Sequence, residues 1–350
     1  MKKCEILLAF LFIAGFQLNA EDNPKSEIIF EDFEGDNYGQ WKATGNAFND
    51  GPYSEAPGKR RWNVKNKGSN FLTSYVRIGE VANHHNSLSD GNDGTGTLTS
   101  PSFKISKDYI SFQISGGNHP GKTYINLIID NKIVKSATGR TNTVMTWRTW
   151  DVSYFINQEA YIDIGDLMKH DDEYILGHIN IDHIIFSDNP VIQTINKSLL
   201  INKKYLIWPI KRQSMRMSPE SRVFVNVDYN LETFVDVELS ETPDFWAFTD
   251  LSNYQGKQLH LKGKLFKDHI KAFDNVILSD KYPGMENLYQ EALRPQYHFT
   301  SKRGWLNDAN GMQYYDGEWH MFYQHNPYNW FWWNVSWGHA VSRDLIHWEE

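Results

Sequence analysis

Hydrophobic and polar residues alternate in short stretches along most of this chain, the pattern of half-buried β-strands. Within residues 27–188, Ile110 to Ile114 alternates strictly between apolar and polar side chains. Tyr124 to Ile129 and Lys132 to Val134 flank Asp130-Asn131, a residue pair typical of tight hairpin turns. Because no long helical period interrupts this pattern, we predict an all-β fold that begins with a β-sandwich of jelly-roll type.

A second β-rich block follows in residues 197–280, with alternation in Val223 to Val227 and in Phe234 to Leu239. The two blocks share a weak internal repeat, since Trp150 to Tyr154 resembles Thr249 to Asn253. The repeat fits two related sandwiches that arose by duplication. Chance similarity between the edges of ordinary β-sandwiches explains it equally well.

The character of the sequence changes at Phe299. Gly311 to Tyr315 and Glu318 to Gln324 flank Asp316-Gly317, the strongest two-residue hairpin signal in the chain. Ser336 to Ser342 and the residues from Ile346 to Glu349 are predicted as a third and a fourth strand. Four antiparallel strands in so short a segment are typical of one blade of a β-propeller.

Between the second block and this segment, residues 281–297 are predicted to form a connector, in which Glu286 to Leu293 makes two helical turns before Pro295. The whole chain then divides into four parts. These are a signal peptide in residues 1–20, a β-sandwich module in 21–190, a second β-sandwich module with connector in 191–296, and the start of a propeller in 297–350.

The amino terminus has the features of a cleaved secretory signal. Lys2 and Lys3 precede an apolar stretch from Ile6 to Phe16, and Leu18-Asn19-Ala20 fits a cleavage site. The apolar stretch is too short to span a bilayer, so we expect no membrane insertion after cleavage. The chain is therefore predicted to be secreted, or to reside in the periplasm or at the cell surface. The single cysteine, Cys4, lies within the signal, so the mature chain is stabilised without disulfides.

Charge excludes two classes of partner. The net charge is −8, and loss of residues 1–20, which carry two Lys and one Glu, makes it −9. This sign argues against nucleic acid and against an anionic membrane surface. Aromatic residues make up 15% of the chain, which suits a neutral carbohydrate because sugar rings stack on aromatic faces. Trp41, Trp62 and Trp147 are candidates for such stacking, although core packing is the simpler reading of each.

The segment from Trp305 to Gly311 carries the candidate chemistry, because it presents Asp308 between the amides of Asn307 and Asn310. Glycoside hydrolysis uses a pair of carboxylates, one of which attacks or stabilises the anomeric carbon. An attacking carboxylate must stay ionised, and amide donors favour the ionised form. A simpler reading is that Asn-Asp-Ala-Asn-Gly forms a surface turn whatever its function.

Two further motifs favour the chemical reading: Tyr323-Gln324-His325-Asn326-Pro327 and Trp337-Gly338-His339-Ala340. With Trp305 to Gly311 they resemble, in order and spacing, the start of the catalytic domain of glycoside hydrolase family 32, which contains invertases, inulinases and levanases. The resemblance covers about residues 297–350. It implies a five-bladed propeller that hydrolyses β-fructosidic bonds with retention, on a fructan or sucrose-type carbohydrate.

By position, the resemblance implies that Asp308 is the nucleophile and that Asn307, Gln324 and Trp332 bind substrate at the fructosyl subsite. The chain departs from the family pattern at Ala309, where proline is usual. Proline would fix the backbone that aims Asp308. Residues 27–280 resemble, less specifically, the sandwich modules that precede some secreted bacterial fructan hydrolases.

The family's transition-state Asp and its acid/base Glu lie on later blades, and neither has a counterpart before Glu350. General acid catalysis is typically worth about a hundred- to ten-thousand-fold, so we expect the 350-residue chain to be inactive by itself. Two alternatives remain. The chain is a non-catalytic polysaccharide-binding or scaffold protein, or it belongs to another five-bladed glycosidase family that acts on arabinan or xylan.

No cofactor is required by this chemistry. A structural calcium ion between the first and last strands of the first sandwich is the one candidate, with four possible ligands: Glu31, Asp32, Asp182 and Asp188.

Overall fold

The computed structural model describes residues 27–48, 51–54, 64, 66–75, 94–168, 176–212, 221–330 and 334–350. In these ranges the chain forms β-strands and short 3₁₀ turns without an α-helix, so the all-β prediction is confirmed. The predicted signal peptide, Trp62 and Trp332 lie outside the described residues. No helix in the described ranges is long and apolar enough to cross a membrane.

The first unit, residues 27–190, contains two six-stranded antiparallel sheets. One has the order β10-β7-β12-β4-β3, with β1 beside β12, and the other has the order β2-β5-β11-β8-β9, with β6 beside β11. The strands are β1 (Ile28–Glu31), β2 (Lys42–Gly45), β3 (Tyr53–Ser54), β4 (Asn70–Thr73), β5 (Gly96–Thr99), β6 (Phe103–Lys104), β7 (Tyr109–Gly116), β8 (Thr123–Ile129), β9 (Lys132–Ala137), β10 (Asn142–Asp151), β11 (Glu159–Asp166) and β12 (Ile179–Ser187).

Apolar side chains from both sheets meet in one core, among them Phe112 on β7 and Ile125 and Leu127 on β8. They alternate with polar residues that are also buried, such as Ser111, Gln113 and Asn126, and this alternation is the pattern seen in the sequence. The predicted hairpin forms at Asp130-Asn131, where both residues have positive φ, as a tight two-residue turn requires. The jelly-roll description itself stays a prediction.

The second unit, residues 191–280, has a four-stranded sheet of order β13-β18-β15-β16 and a three-stranded sheet of order β17-β14-β19. Its strands are β13 (Ile192–Leu200), β14 (Tyr205–Ile210), β15 (Arg222–Val227), β16 (Asn230–Asp236), β17 (Phe245–Asp250), β18 (Gln258–Phe266) and β19 (Ile277–Ser279). The strand expected at Phe234 to Leu239 begins earlier and ends at Asp236. A separate core fills this unit, with Trp208 at its centre.

The two units repeat one arrangement of strands. The order β10-β7-β12 in the first corresponds to β17-β14-β19 in the second, and β11-β8-β9 corresponds to β18-β15-β16. The hairpins β8–β9 and β15–β16 each contain a bulge shortly before the turn, at Leu127/Ile128 and at Val225/Asn226. Such bulges are specific local features, so their shared position supports a common origin better than chance.

The repeated sequence marks the same turn in both units. The strand ends at Asp151 or Asp250, whose side chain accepts a hydrogen bond from the backbone N–H of Ser153 or Ser252 at 3.0 and 2.8 Å. A 3₁₀ turn follows in each case, Ser153–Phe155 and Ser252–Tyr254. The residues before these turns have nearly the same backbone angles, φ −120° and ψ 12° against φ −116° and ψ 16°. The structure thus supports related units.

The C-terminal sheet contains β20 (Trp305–Tyr315), β21 (Glu318–Asn326), β22 (Ser336–Ser342) and β23 (Trp348–Glu349), paired in that order. It reproduces the four strands expected there, and Asp316-Gly317 forms the first hairpin turn. Its identity as a propeller blade stays a prediction.

The connector differs from the expectation. Instead of two helical turns over Glu286 to Leu293, one 3₁₀ turn spans Met285–Asn287. The helical prediction is wrong because Tyr289 has a φ of 63°, which a right-handed helix cannot contain. The ring of Tyr289 instead packs under the Arg294 guanidinium. Short 3₁₀ turns also occur at Lys267–His269 and Ala272–Asn275.

Candidate functional site

Two bulges shape the first strand of the C-terminal sheet. Leu306 pairs with His325 and Ala309 pairs with Tyr323, so both Asn307 and Asp308 lie opposite the single residue Gln324. A bulge bends the strand and re-aims the side chains at the irregularity. The turn predicted as the simpler reading of this segment is therefore not formed, because it is an irregular strand.

The bulge brings two of the predicted site residues into contact. The Nδ2 amide of Asn307 donates a hydrogen bond to Oε1 of Gln324 at 3.1 Å, across the gap between β20 and β21. Each amide also keeps hydrogen-bonding capacity, because an amide group has two donor hydrogens and an acceptor oxygen. Asn307, Asp308 and Gln324 thus lie at one level of the hairpin, at the end away from its turn.

Asp308 is exposed, and no described residue forms a hydrogen bond or an ion pair with its carboxylate. The donors expected from the sequence do not bind it: Asn307 bonds to Gln324, and Asn310, the extra residue of the second bulge, bonds no carboxylate oxygen of Asp308 in the described chain. Because this carboxylate is exposed, a substrate can reach it from solvent.

Other carboxylates of this sheet lie farther along the strands. Glu318 pairs with Tyr315, seven residues beyond Asp308, or about 23 Å at about 3.3 Å per residue. Glu349 pairs with Val341, which lies level with His320 near the same end. Neither Glu318 nor Glu349 thus stands beside Asp308 at the separation of about 5–5.5 Å that a retaining glycosidase uses.

The segment after β21 is anchored to the second unit. Asn326 Oδ1 accepts hydrogen bonds from the backbone N–H groups of Tyr328 and Asn329 at 3.0 and 3.1 Å, which turns the chain inward. Tyr328 then enters the core of the second unit, where its hydroxyl contacts Thr249 Oγ1 at 2.9 Å. Burial raises the pKa of Tyr328, in keeping with a neutral structural phenol.

Asn334 fixes the other end of this segment. Its Oδ1 accepts a hydrogen bond from the Asp236 backbone N–H at 2.6 Å, and its Nδ2 donates to the Asp236 carbonyl at 2.9 Å. The side-chain amide therefore occupies both backbone groups of an edge residue of β16, as a neighbouring strand would. Residues 331–333 between these anchors, including Trp332, lie outside the described part of the chain.

A buried cation fixes the start of β20. The guanidinium of Arg303 lies over the Phe248 ring and donates a hydrogen bond to the Phe248 carbonyl. Its own carbonyl lies 2.9 Å from Nε2 of His325 on β21. Burial lowers the pKa of Arg303 to about 10, so the group is still cationic at neutral pH. Arg303, Tyr328 and Asn334 together dock the C-terminal sheet onto the second unit.

Of the four calcium candidates, Asp32 lies near Asp182, whereas Glu31 and Asp188 are engaged by other groups. Both carboxylate oxygens of Asp182 accept backbone N–H groups, from Lys67 at 2.7 Å and His183 at 2.8 Å. Burial, together with the nearby carboxylates Glu34 and Asp32, raises the pKa of Asp182 to about 8.

The other candidate ligands are engaged elsewhere. Glu31 accepts hydrogen bonds from the Phe33 N–H at 2.9 Å and from the Trp41 indole at 2.8 Å, and Asp188 is ion-paired to Lys107 at 2.8 Å. No cluster of three or more His, Cys, Asp or Glu side chains suited to a metal occurs in the described ranges. The four residues therefore do not fit one calcium site in this arrangement, and calcium binding stays a prediction.

Two of the three tryptophans considered for stacking belong to the interior. Trp41 is buried in the core of the first unit. Trp147 packs against Ile185, Val191 and Phe266, where the first unit meets the second. Core packing is thus confirmed for these two.

Comparison with known proteins identifies the C-terminal segment. Residues 298–350 match the family model for the glycosyl hydrolases family 32 N-terminal domain. This part of the chain belongs to glycoside hydrolase family 32. The family 32 segment contains β20 to β23, and hence Asp308, Asn307 and Gln324.

Two of the related proteins match the chain over about 60 residues. A levanase of Bacillus subtilis is 59% identical over 61 residues, which cover 17% of this chain and 9% of the levanase. An extracellular exo-inulinase of Aspergillus awamori is 52% identical over 62 residues, covering 18% and 12%. The matched stretch is therefore a small part of each relative's length.

Solved structures resemble the chain only distantly. A family 32 glycoside hydrolase from Bifidobacterium adolescentis has a TM-score of 0.23 at 24% identity and covers 44% of this chain and 26% of its own. The K2 cleaved adhesin domain of Lys-gingipain has a TM-score of 0.31 at 16% identity and covers 46% of this chain and 99% of its own. Scores this low do not establish a shared fold.

The sequence did not reveal how the family 32 segment is held. Arg303, Tyr328 and Asn334 contact residues that are 55 to 98 positions earlier in the chain. No pattern of neighbouring residues in the sequence predicts contacts between positions so far apart. The one available signal was Asn326-Pro327 at the end of a strand, a pair that favours a change of chain direction.

Proposed function

We propose that this chain forms part of a secreted fructan β-fructosidase, similar to levanases and inulinases, that hydrolyses β-fructosidic bonds with retention of configuration. Asp308 is the nucleophile, and Asn307, Gln324 and Trp332 bind the fructosyl unit. The main support for this proposal is the hydrogen bond between the amides of Asn307 and Gln324, because it lies at the bulge that contains Asp308. The names of the relatives, levanase and exo-inulinase, support the substrate class.

In the proposed reaction, a carboxylate oxygen of Asp308 forms a bond to the anomeric carbon while the bond to the leaving sugar oxygen breaks. That oxygen takes up a proton from a general acid. Water then attacks the anomeric carbon of the fructosyl ester and gives up a proton, which releases fructose and restores Asp308. The amides of Asn307 and Gln324 hold the ring hydroxyls, so that the carbon faces the carboxylate.

We also propose that the 350-residue chain alone does not hydrolyse fructans. Glu318 and Glu349 pair far along the C-terminal sheet from Asp308, so neither can protonate the leaving oxygen beside it. Purified chain incubated with levan, inulin and sucrose is expected to release no fructose above the background without enzyme. Release of fructose at an ordinary enzymatic rate contradicts this part of the proposal.

An activated substrate tests the role of Asp308 in a way that requires no proton donor. Fluoride leaves fructosyl fluoride without protonation, so the first step needs only the nucleophile and the amides. Without a general base, the ester then hydrolyses slowly and accumulates. Mass spectrometry of digested chain is expected to find one fructosyl unit on the peptide that contains Asp308.

Two variants control this labelling. Asp308→Asn is expected to abolish the adduct. Asp316→Asn, in the exposed turn of the same hairpin, is expected to leave it unchanged. An adduct spread over several surface carboxylates, or one that persists in Asp308→Asn, rules out Asp308 as the nucleophile.

Secretion and the calcium ion are part of the proposal. Secretion rests on the sequence features of residues 1–20 and on the extracellular exo-inulinase among the relatives. Amino-terminal sequencing of exported protein is expected to begin at Glu21. If calcium binds at the candidate carboxylates, added calcium raises the melting temperature of the chain and does not raise that of Asp182→Asn.

The second candidate function is non-catalytic, in which the two repeated units bind polysaccharide or support the family 32 segment. Support is favoured by the docking contacts of Arg303, Tyr328 and Asn334 with the second unit. Binding is favoured by an exposed aromatic sheet face on the same unit.

A further inference from the structure

We propose that the outward face of the sheet β13-β18-β15-β16 is a binding surface for fructan chains, separate from the site at Asp308. The choice of fructan as the occupant rests on the function proposed above. We call this surface the platform, and define it by six residues: Asn196, Phe224, Asn226, Tyr229, His260 and Lys262.

The platform is an exposed sheet face that carries aromatic rings. Inward residues of β15, such as Val223 and Val225, fill the core, whereas Phe224 between them faces solvent. Phe224 pairs with Phe234 on one side and Lys262 on the other, and Lys262 pairs with Asn196. Rings beside amide and ammonium groups suit sugars, which offer apolar ring faces and hydroxyls at their edges.

Tyr229 and His260 form the centre of the platform. The two rings stack at 4.3 Å with 20° between their planes, and Tyr229 as a whole residue is 76% exposed. His260 is only 8% exposed. Its Nδ1 contacts Ser198 Oγ at 2.8 Å, while its Nε2 is buried with no hydrogen-bond partner in the described chain. A shift of the Tyr229 ring on binding would let a sugar hydroxyl reach this nitrogen.

The first unit provides an internal comparison, since its sheet β11-β8-β9 occupies the same place. There the residue that corresponds to Tyr229 is Asn131, in the same hairpin turn. The position of Lys262 corresponds to Asp163, which accepts hydrogen bonds from Tyr124 at 3.1 Å and Thr99 at 2.7 Å. In the first unit, hydrogen bonds between side chains thus occupy this sheet face, whereas in the second unit the rings of Phe224 and Tyr229 remain exposed to solvent.

The conformation of Tyr229 is unusual for its residue type. Its φ of 69° lies in the left-handed region, which Asn occupies readily and an aromatic residue rarely does. Local strain of this kind is retained where another requirement outweighs it. Presentation of the ring flat on the sheet face is such a requirement.

The platform is continuous with the docked family 32 segment. Asn334 binds the backbone of Asp236 at the end of β16, and Asp236 also forms a two-point ion pair with Arg222 at the margin of the platform. A chain held on the platform therefore stays close to the family 32 segment, which raises its local concentration there. Four strands about 4.8 Å apart give a face about 14 Å wide, enough for two or three sugar rings.

The experiment measures binding of the full 350-residue chain to levan and inulin by isothermal titration calorimetry. Tyr229→Asn copies the residue of the first unit and keeps the turn. It is expected to weaken binding about tenfold or more. Tyr154→Asn, at a tyrosine that is 89% exposed on the first unit, is the matched control and is expected to bind as the original chain does.

A further pair of measurements separates the platform from the catalytic proposal. Asn307→Ala with Gln324→Ala is expected to lose fructosyl labelling of Asp308 and to retain binding at the platform. If the chain binds no fructan, if it prefers an anionic glycan such as alginate, or if Tyr229→Asn binds unchanged, the platform proposal is wrong. Labelling of Asp308 in that case still supports the catalytic proposal.

Discussion

Asp166 shows what the interior of the first unit does to a single carboxyl group. Burial raises its pKa to about 7, although hydrogen bonds from Ser74 and the Met168 N–H act in the opposite direction. The folded chain therefore holds a proton that the unfolded chain releases near pH 3.8. Proton uptake on folding means that the free energy of unfolding falls as pH rises from about 4 to about 7.

Asp166→Asn is expected to flatten this dependence, because the amide is neutral at every pH and still offers a donor to Ser74 and an acceptor to Met168. Melting temperatures measured from pH 4 to pH 8 test this. The original chain should lose more stability over that range than the variant. An equal loss in both chains assigns the dependence to other groups. Asp316→Asn, at an exposed turn, serves as the control.

At the site, the sequence predicted which residues belong together but not how they meet. The spacing of the three motifs placed Asn307, Asp308 and Gln324 in one hairpin, and the pairing of β20 with β21 brings them to the same level. The two bulges were missed because no residue in the segment requires them. The donor to Gln324 was expected to serve Asp308, since sequence order cannot tell which neighbour an amide will face.

Among elements, the repeated units offer a comparison of equivalent ion pairs. Lys107 binds Asp188 at 2.8 Å, and Lys203 binds Asp280 at 2.6 Å in the corresponding position. The side chains of the first pair are 17% and 24% exposed, and those of the second are 46% and 52% exposed.

We expect Lys203→Met to change the free energy of unfolding by less than about 0.5 kcal/mol, because water screens an exposed pair. Lys107→Met should cost about 1 kcal/mol or more, since it leaves a half-buried carboxylate without its partner. Chemical denaturation of both variants measures the difference. Equal losses argue that the two environments do not differ in solution.

Asn334 provides a second test at this scale. Its φ of 47° is tolerated by Asp as well as Asn, so Asn334→Asp keeps the backbone but removes the donor to the Asp236 carbonyl. A buried carbonyl left unpaired costs about 1–3 kcal/mol. Denaturation should detect this loss, whereas Asn253→Asp on an exposed turn should have little effect. An unaltered Asn334→Asp means that this amide does not stabilise the junction.

For the molecule as a whole, the contacts between units predict how the chain unfolds. Arg303 is buried at the junction of the second unit with the C-terminal sheet, and Tyr328 belongs to the core of that unit. We therefore expect these two parts to unfold in one calorimetric transition. Arg303→Met should separate it into two, because the contact with the Phe248 carbonyl is lost.

Arg343→Met is the matched control, since that side chain is 83% exposed on the same sheet. It should leave the single transition unchanged. Two transitions already present in the original chain indicate that the junction is too weak to couple the parts.

The sequence was informative about this architecture wherever a signal is local. Alternation predicted the strands, and Asp130-Asn131 and Asp316-Gly317 marked two hairpins. The repeat was recognisable in the sequence because Asp151 and Asp250 each accept the hydrogen bond that forms the same turn in the two units. The connector was misjudged, since the packing of Tyr289 on Arg294 outweighs its helical propensity. The junction depends on distant residues, so no window of sequence contains it.

The amide of Asn334 has one more effect on this protein. β16 ends the four-stranded sheet, and its exposed backbone groups are the kind to which a strand from another molecule can add. Asn334 occupies both groups of Asp236 from within the chain. The side chain that joins the C-terminal sheet to the second unit thus also blocks the addition of a strand from another molecule at Asp236, and with it polymerisation through this edge.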